Sequence, residues 1–270
     1  MQPLPEERQL LAELTLPINR CNVPAPVLAS LIFQEHPIQL QLDGIETFYS
    51  ELFDRLVLCR DARQRVDIFN DYMAVRFRLP EAKLAHRPDA DPVPRPQSNY
   101  RKLLLGWLFD SDSDAGAAWR QWVESRFGLR TIYHHELISA PESDAYIRYM
   151  QACVRSTYQT NELASQLDLL YSFCQYQLVH KYPEQQYLTL YRGSSESPRY
   201  HYQQHPVLIL NNLSSCSSDV DEAYRFGPRV VELQVPLSKI VCFDALLPRG
   251  LNGEQEYMVL GGIYKAKQVW

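Results

Sequence analysis

Apolar and polar positions change their period about two thirds of the way along the 270-residue chain. From Ile45, the apolar residues Ile45, Phe48, Tyr49, Leu52, Phe53, Leu56 and Val57 recur at the i, i+3, i+4, i+7 spacing of an amphipathic helix. Asp43-Gly44 stands in front of this run and can start it. The same spacing predicts helices over 66–77 and over about 98–109, 114–127, 141–155 and 161–181, with Gly128 as the stop of the fourth of these six. Pro80, Pro88, Pro92, Pro94 and Pro96 forbid a long helix and predict a loop over 80–97. From Tyr187 the period falls to two. Strands are predicted over 187–192, 207–210, 230–235, 240–243, 257–260 and 263–270. One short helix over 219–226, capped by Ser217 or Ser218, interrupts them. Short strands joined by short loops point to an antiparallel or mixed sheet, and the whole to an α+β fold. The expected organisation is a mainly helical region over 1–182 and a β-rich core over 183–270, forming one compact unit.

Composition narrows the function. Apolar residues make up 46% and charged residues 22%, as in an ordinary folded chain. Only 10 glycines stand against 18 prolines, and neither GxGxxG nor GxxxxGK[ST] occurs, so Rossmann and P-loop readings lose their support. A net charge of −5 argues against nonspecific nucleic-acid binding, which needs a basic face. No apolar run is long enough to predict a membrane span. Residues 1–8 lack the basic and apolar regions of a secretory leader. Six scattered cysteines, with no CxxC, predict neither a zinc site nor a disulfide framework, and suit a reducing cytoplasm.

Several segments carry candidate chemistry. Leu188, Leu190 and Arg192 share one face of a predicted strand, and a guanidinium at the end of an apolar face calls for an anion. Gly193 follows and leaves room for a ligand at the backbone. Taken alone, Arg192 is equally a strand-end arginine turned to solvent or paired with a carboxylate. Ser214-Ser215-Cys216-Ser217-Ser218 puts four hydroxyls in five residues, either to hold a ligand or simply to form a turn and helix cap. Glu254 and Glu256, two apart at a predicted strand start, point to one face. Such a pair is either a solvated acidic end or a site for a cationic substrate or an oxocarbenium-like transition state. Asp110-Ser111-Asp112-Ser113-Asp114 has the spacing of a calcium loop, but Gly116 comes one place late and Gln121 replaces the bidentate glutamate, so helix capping is expected instead. His134-His135-Glu136 lacks the HExxH spacing of a zinc protease.

The order of these pieces is more telling than any one of them. Tyr191-Arg192-Gly193, then Ser215-Cys216-Ser217, then Glu254-Gln255-Glu256 resembles the arginine–serine–glutamate class of mono-ADP-ribosyltransferases. Ala223-Tyr224-Arg225-Phe226-Gly227 looks like the helix that follows the serine motif in that class. Cys216 departs from the usual Thr or Ser. Asn19-Arg20-Cys21-Asn22-Val23-Pro24-Ala25, Phe33-Gln34-Glu35-His36-Pro37, Gly106-Trp107-Leu108-Phe109-Asp110-Ser111-Asp112-Ser113 and Trp122-Val123-Glu124-Ser125-Arg126-Phe127-Gly128 extend the resemblance over nearly the whole chain, to the dinitrogenase reductase ADP-ribosyltransferase family.

That resemblance implies a helical N-terminal region packed on a C-terminal split β-sandwich. It implies NAD⁺ as donor and an arginine of dinitrogenase reductase, the nitrogenase iron protein, as acceptor, with nicotinamide released and nitrogen fixation inactivated. It gives Glu256 the oxocarbenium ion and a ribose hydroxyl, and Arg192 a phosphate or ribose oxygen of NAD⁺. Gly193 faces the nicotinamide amide. Ser215 fixes the nicotinamide ribose or Glu256, and Ser217 supports the turn. Glu254 orients the acceptor guanidinium and takes its proton, and the segment 246–253 reads the protein substrate. No metal is expected, and a PII-type regulatory protein is a candidate partner. The alternatives are an NAD⁺ glycohydrolase, a transferase with another arginine target, and a non-catalytic module that keeps only the NAD⁺ scaffold.

Overall fold

The computed structural model describes residues 2–3, 6–79, 98–138, 140–157, 162–195, 198–246 and 255–269. The proline-rich segment 80–97, Glu254 and the expected substrate-reading residues 247–253 lie outside them.

Helices α1 (Glu7–Leu14), α2 (Ala25–Ala29), α3 (Leu31–Glu35), α4 (Ile45–Phe48), α5 (Ser50–Val57) and α6 (Ala62–Arg76) come first. The helix expected from Ile45 is two, because Tyr49 leaves helical geometry (φ −109°, ψ 27°) to bury its ring. Strand β1 (Gln2–Pro3) and helices α1–α3 carried no strong periodic signal and were not expected. Next come α7 (Tyr100–Phe109), α8 (Asp114–Phe127), α9 (Asp144–Thr157) and α10 (Leu163–Lys181), all close to their predicted bounds. Asn99 caps α7 and Ser113 caps α8, each side chain accepting a first-turn backbone N–H. Gly128 ends α8 at φ 66°, a left-handed position suited to glycine. The short strands β2 (Ile132–Tyr133) and β3 (Glu136–Leu137) lie between α8 and α9, joined by His134 and His135 as a tight turn.

The sheet is built from β4 (Tyr187–Ser194), β5 (Tyr200–Tyr202), β6 (His205–Ser217), β7 (Arg229–Pro236), β8 (Ile240–Phe243) and β9 (Glu256–Val269), with α11 (Val220–Arg225) between β6 and β7. Its order is β1-β5-β6-β4-β7-β9-β8, and β6 also pairs along β9. Every pairing in it is antiparallel except β1 with β5. The two strands expected at 257–260 and 263–270 are one. Gly261 and Gly262 carry β9 across a register shift opposite Leu210–Leu213. A Cβ at Gly261 would stand 2.0 Å from the Asn211 carbonyl, so the strands approach too closely there for a side chain. The serine-rich segment, whose local reading is a turn and cap or a ligand-holding cluster, forms the end of β6, and Asp219 rather than Ser217 or Ser218 caps α11.

One cluster of buried apolar side chains draws on helices and sheet alike, from Phe33 and Trp119 to Leu190, Val259 and Tyr264. At its centre α10 is buried on nearly all sides, as its lack of a polar face requires. Phe173 on α10 stacks on Phe69 of α6 with centroids 4.1 Å apart. The polar residues of α10 are used to hold its neighbours, since buried polar groups need partners. Gln175 donates to the Ile240 carbonyl at the edge of β8 (2.7 Å). Gln166 accepts the Tyr100 amide at the start of α7 (3.0 Å). Asp168 accepts from Trp122 Nε1 (2.7 Å) and, in bidentate fashion, from Arg126 (2.7 and 2.8 Å), which fixes α8. Through these bonds α7 and α8 are set against the sheet, where they form one wall of the site.

Candidate active site

Three strands meet where the sequence motifs lie. Tyr191 of β4 pairs with Ser217 of β6, and Ser217 pairs with Glu256 of β9. Arg192, the serine motif and Glu256 are therefore neighbours across the sheet, although they are separated by up to 64 positions in the chain. Directly opposed residues of an antiparallel pair share a face, as do residues two apart, so Ser215, Ser217 and Glu256 point together.

Arg192 Nη1 donates to the Ser215 carbonyl at 2.5 Å, which lays the guanidinium against β6. Glu256 is buried, and its Oε1 accepts from Trp107 Nε1 at 3.1 Å. The same indole N–H reaches Ser215 Oγ at 3.0 Å. Ser217 Oγ accepts the Asp219 amide at 3.0 Å, tying the end of β6 to the start of α11. Cys216, between the serines, is buried, and burial pushes its thiol up to about 11, so it is a protonated packing group at neutral pH.

A cavity of about 390 Å³ opens at this point. Its walls include Trp107, Arg120, Arg192, Ser215, Phe226 and Glu256, and the backbone of Gly193. The space where Gly193 lacks a side chain is filled by α11 and not left open for a ligand. A Cβ there would stand 1.9 Å from the Ala223 carbonyl oxygen.

Glu254, expected to share a strand face with Glu256, lies outside the described residues. Strand β9 begins at Glu256, and Gln255 just before it sits at φ 45°. Ser218 holds Gln255 in this left-handed geometry, donating its amide to the Gln255 carbonyl (3.3 Å) and its hydroxyl to Oε1 (2.9 Å).

Two site residues had no role assigned from sequence. Trp107 lay within a family-like segment, but nothing in its spacing marked it as polar contact. Arg120 lies on the buried face of α8, only 4% exposed, with no motif around it. Its Nη1 donates to the Leu213 carbonyl (3.1 Å) and its Nη2 meets Asp112 (3.2 Å), while its Nε is buried with no hydrogen-bond partner among the described residues. Burial pushes this guanidinium down, opposed by Asp112, with Arg192 adding repulsion. Two cations thus line a cavity that also holds a carboxylate, an arrangement suited to a ligand with an anionic part and a developing cation.

The Asp110–Asp114 segment serves as structure. Asp110 accepts the Asp112 amide (2.9 Å), Asp112 pairs with Arg120, and Asp114 pairs with Arg155 (2.7 Å). Among the described residues no group of three or more His, Cys, Asp or Glu could hold a metal ion, and no helix is long and apolar enough to cross a membrane.

Comparison with known proteins defines first a class. A relative from Rhodospirillum rubrum, NAD(+)--dinitrogen-reductase ADP-D-ribosyltransferase, is 35% identical over 275 residues, covering 99% of each chain. That relative's name is that of an NAD⁺-dependent ADP-ribosyl transferase. Residues 18–268 match the dinitrogenase reductase ADP-ribosyltransferase family, and the chain belongs to that family. No solved structure matches it.

Proposed function

We propose that the chain transfers ADP-ribose from NAD⁺ to an arginine of dinitrogenase reductase, releasing nicotinamide, and that the cavity at Arg192, Ser215 and Glu256 is the active site. The observation that carries this reading is the convergence of those three residues on one cavity in a chain of this family.

The bond that breaks joins the nicotinamide nitrogen to ribose C1′. Its electron pair goes to nicotinamide, which leaves neutral, and positive charge develops on the ribose as in glycoside hydrolysis. Glu256 is buried and fixed by an N–H donor, so its carboxylate offers preorganised negative charge to that centre. Arg192 holds a phosphate or ribose oxygen through its planar fork, and the charge of Arg120 adds to the anion-binding side of the cavity. The Gly193 backbone meets the nicotinamide amide. Ser215 holds the nicotinamide ribose or the Glu256 carboxylate, and Ser217 keeps the β6–α11 turn. An acceptor guanidino nitrogen then forms the new bond to C1′ and loses one proton. Glu254 orients that guanidinium and receives the proton, because a free guanidinium, with a pKa above ~12, is a poor nucleophile.

The finer architecture belongs to the same reading. The long β6–β9 ribbon and the β4–β7 pair, joined among the described residues where β6 touches β4 and where β9 runs beside β7, support a split β-sandwich. The shared core supports one working unit under the helices. All six cysteines are free thiols and five are buried, which supports a reducing, cytoplasmic setting. A PII-type protein is the candidate regulator.

The test follows free nicotinamide and, with NAD⁺ labelled in its ADP-ribose half, protein labelling, with and without dinitrogenase reductase. Label should pass to the protein in its presence. Release without protein labelling would favour the glycohydrolase, and no NAD⁺ binding at all would favour the non-catalytic module.

A further inference from the structure

The geometry points to Trp107 as a positioning residue for the transfer: its indole N–H orients the Glu256 carboxylate and the Ser215 hydroxyl from the α7–α8 side of the cavity. This inference rests on the proposed role of Glu256.

An indole N–H can only donate. The contacts to Glu256 Oε1 (3.1 Å) and Ser215 Oγ (3.0 Å) therefore have one polarity, and the one to Glu256 favours the ionised carboxylate. The donor is itself held still. Trp107 is 2% exposed, and the Arg120 guanidinium carbon lies 5.2 Å from its ring centroid. A cation over the indole strengthens the polarisation of its N–H bond. Arg120 is anchored in turn to β6 at the Leu213 carbonyl and to the α7–α8 corner at Asp112. The helices have no slack at this level, because a Cβ at Gly106 would stand 2.4 Å from that of Ala115. The carboxylate thus faces a donor that need not reorganise as charge develops on the ribose. It also gives a residue before β4 a part in positioning the Glu256 carboxylate.

Trp107→Phe keeps the ring and removes the donor. Loss of a hydrogen bond to a charged group predicts a kcat lower by roughly ten- to hundredfold. The KM for NAD⁺ should change less than threefold. The acid limb of the pH–rate profile should move to higher pH, because the lost donor favoured the charged form. A purely structural role for Trp107 would lower the unfolding temperature without moving that limb. A kcat within twofold of wild type together with an unmoved acid limb would overturn the inference. Glu256→Gln is measured alongside: full activity there overturns the reading of Glu256 itself, whereas an inactive Glu256→Gln with an unaffected Trp107→Phe overturns only the role of Trp107.

Should Trp107→Phe fail to fold, the wild-type chain still decides. With four tryptophans, ¹⁵N-indole spectra show few signals. One is expected to titrate with pH and to lose that titration in Glu256→Gln. If no indole signal responds to Glu256→Gln, the inference is refuted.

Discussion

Alanine at Gly193 probes the packing that shapes the cavity. Its Cβ would lie 1.9 Å from the Ala223 carbonyl oxygen, 3.0 Å from the Ala223 carbonyl carbon and 3.1 Å from the Gly227 nitrogen, whereas ordinary contact begins at 3.4 Å. Strand β4 cannot retreat, because Gly193 is paired to Val230 within a continuous ladder. So α11 must move by about 1.5 Å, the difference between 3.4 and 1.9. Overpacking of this kind costs ~1–3 kcal/mol, and a backbone partner that cannot change rotamer puts it near the upper end. At ~2–4 °C per kcal/mol for a chain of this size, Tm should fall by roughly 6–12 °C. Because Ala223 and Phe226 both line the cavity, the KM for NAD⁺ should rise as well. Differential scanning calorimetry and initial-rate kinetics read the two effects. Gly44→Ala is the control: at φ 73° it strains the backbone by ~1–2 kcal/mol, but nothing lies within 4 Å of its Cβ, so KM should not change. The reasoning is refuted if Gly193→Ala lowers Tm no more than Gly44→Ala and leaves KM unchanged.

Three further outcomes are expected. Glu254→Ala should spare NAD⁺ hydrolysis more than arginine transfer, and equal loss of both in parallel assays would remove its acceptor-directed role. Asp168→Ala leaves the nearly buried Arg126 without its bidentate partner and should cost ~3–5 kcal/mol, read as a lower urea midpoint at unchanged m; a loss below ~1 kcal/mol would contradict it. Burial pushes Lys239 down to about 7, so between about pH 7 and pH 10.5 its amine is neutral in the native chain and charged in the unfolded one. The unfolded state then binds more protons, and stability should rise with pH across that window. Lys239→Met should flatten this slope in denaturant titrations from pH 6 to 10, and an unchanged slope would count against it.

Much of the fold was legible because its long elements are strongly periodic. The helices at 100–109 and 114–127 and the strands from 187 onward, except β5, follow from apolar spacing, and helix capping at 110–114 and the stop at Gly128 from local chemistry. Helices α2 and α3 escaped notice because five residues cannot establish a period. The serines of β6 look like turn formers locally, and only pairing with β9 makes them a strand. At the site, Arg192, Ser215 and Glu256 were readable as motif residues, but their adjacency depends on strand register. Trp107 and Arg120 were not readable as site residues. An aromatic and a cation on buried helix faces resemble core packing until the tertiary fold brings their polar atoms to β6 and β9.

The proposed activity is tested most directly by peptide mass spectrometry of dinitrogenase reductase after incubation with NAD⁺ and this chain. The expected result is ADP-ribose on an arginine with the wild-type chain. A Glu256→Gln variant that unfolds at the wild-type temperature should leave that arginine unmodified. An unmodified protein in both reactions, or modification that survives undiminished in Glu256→Gln, would contradict it.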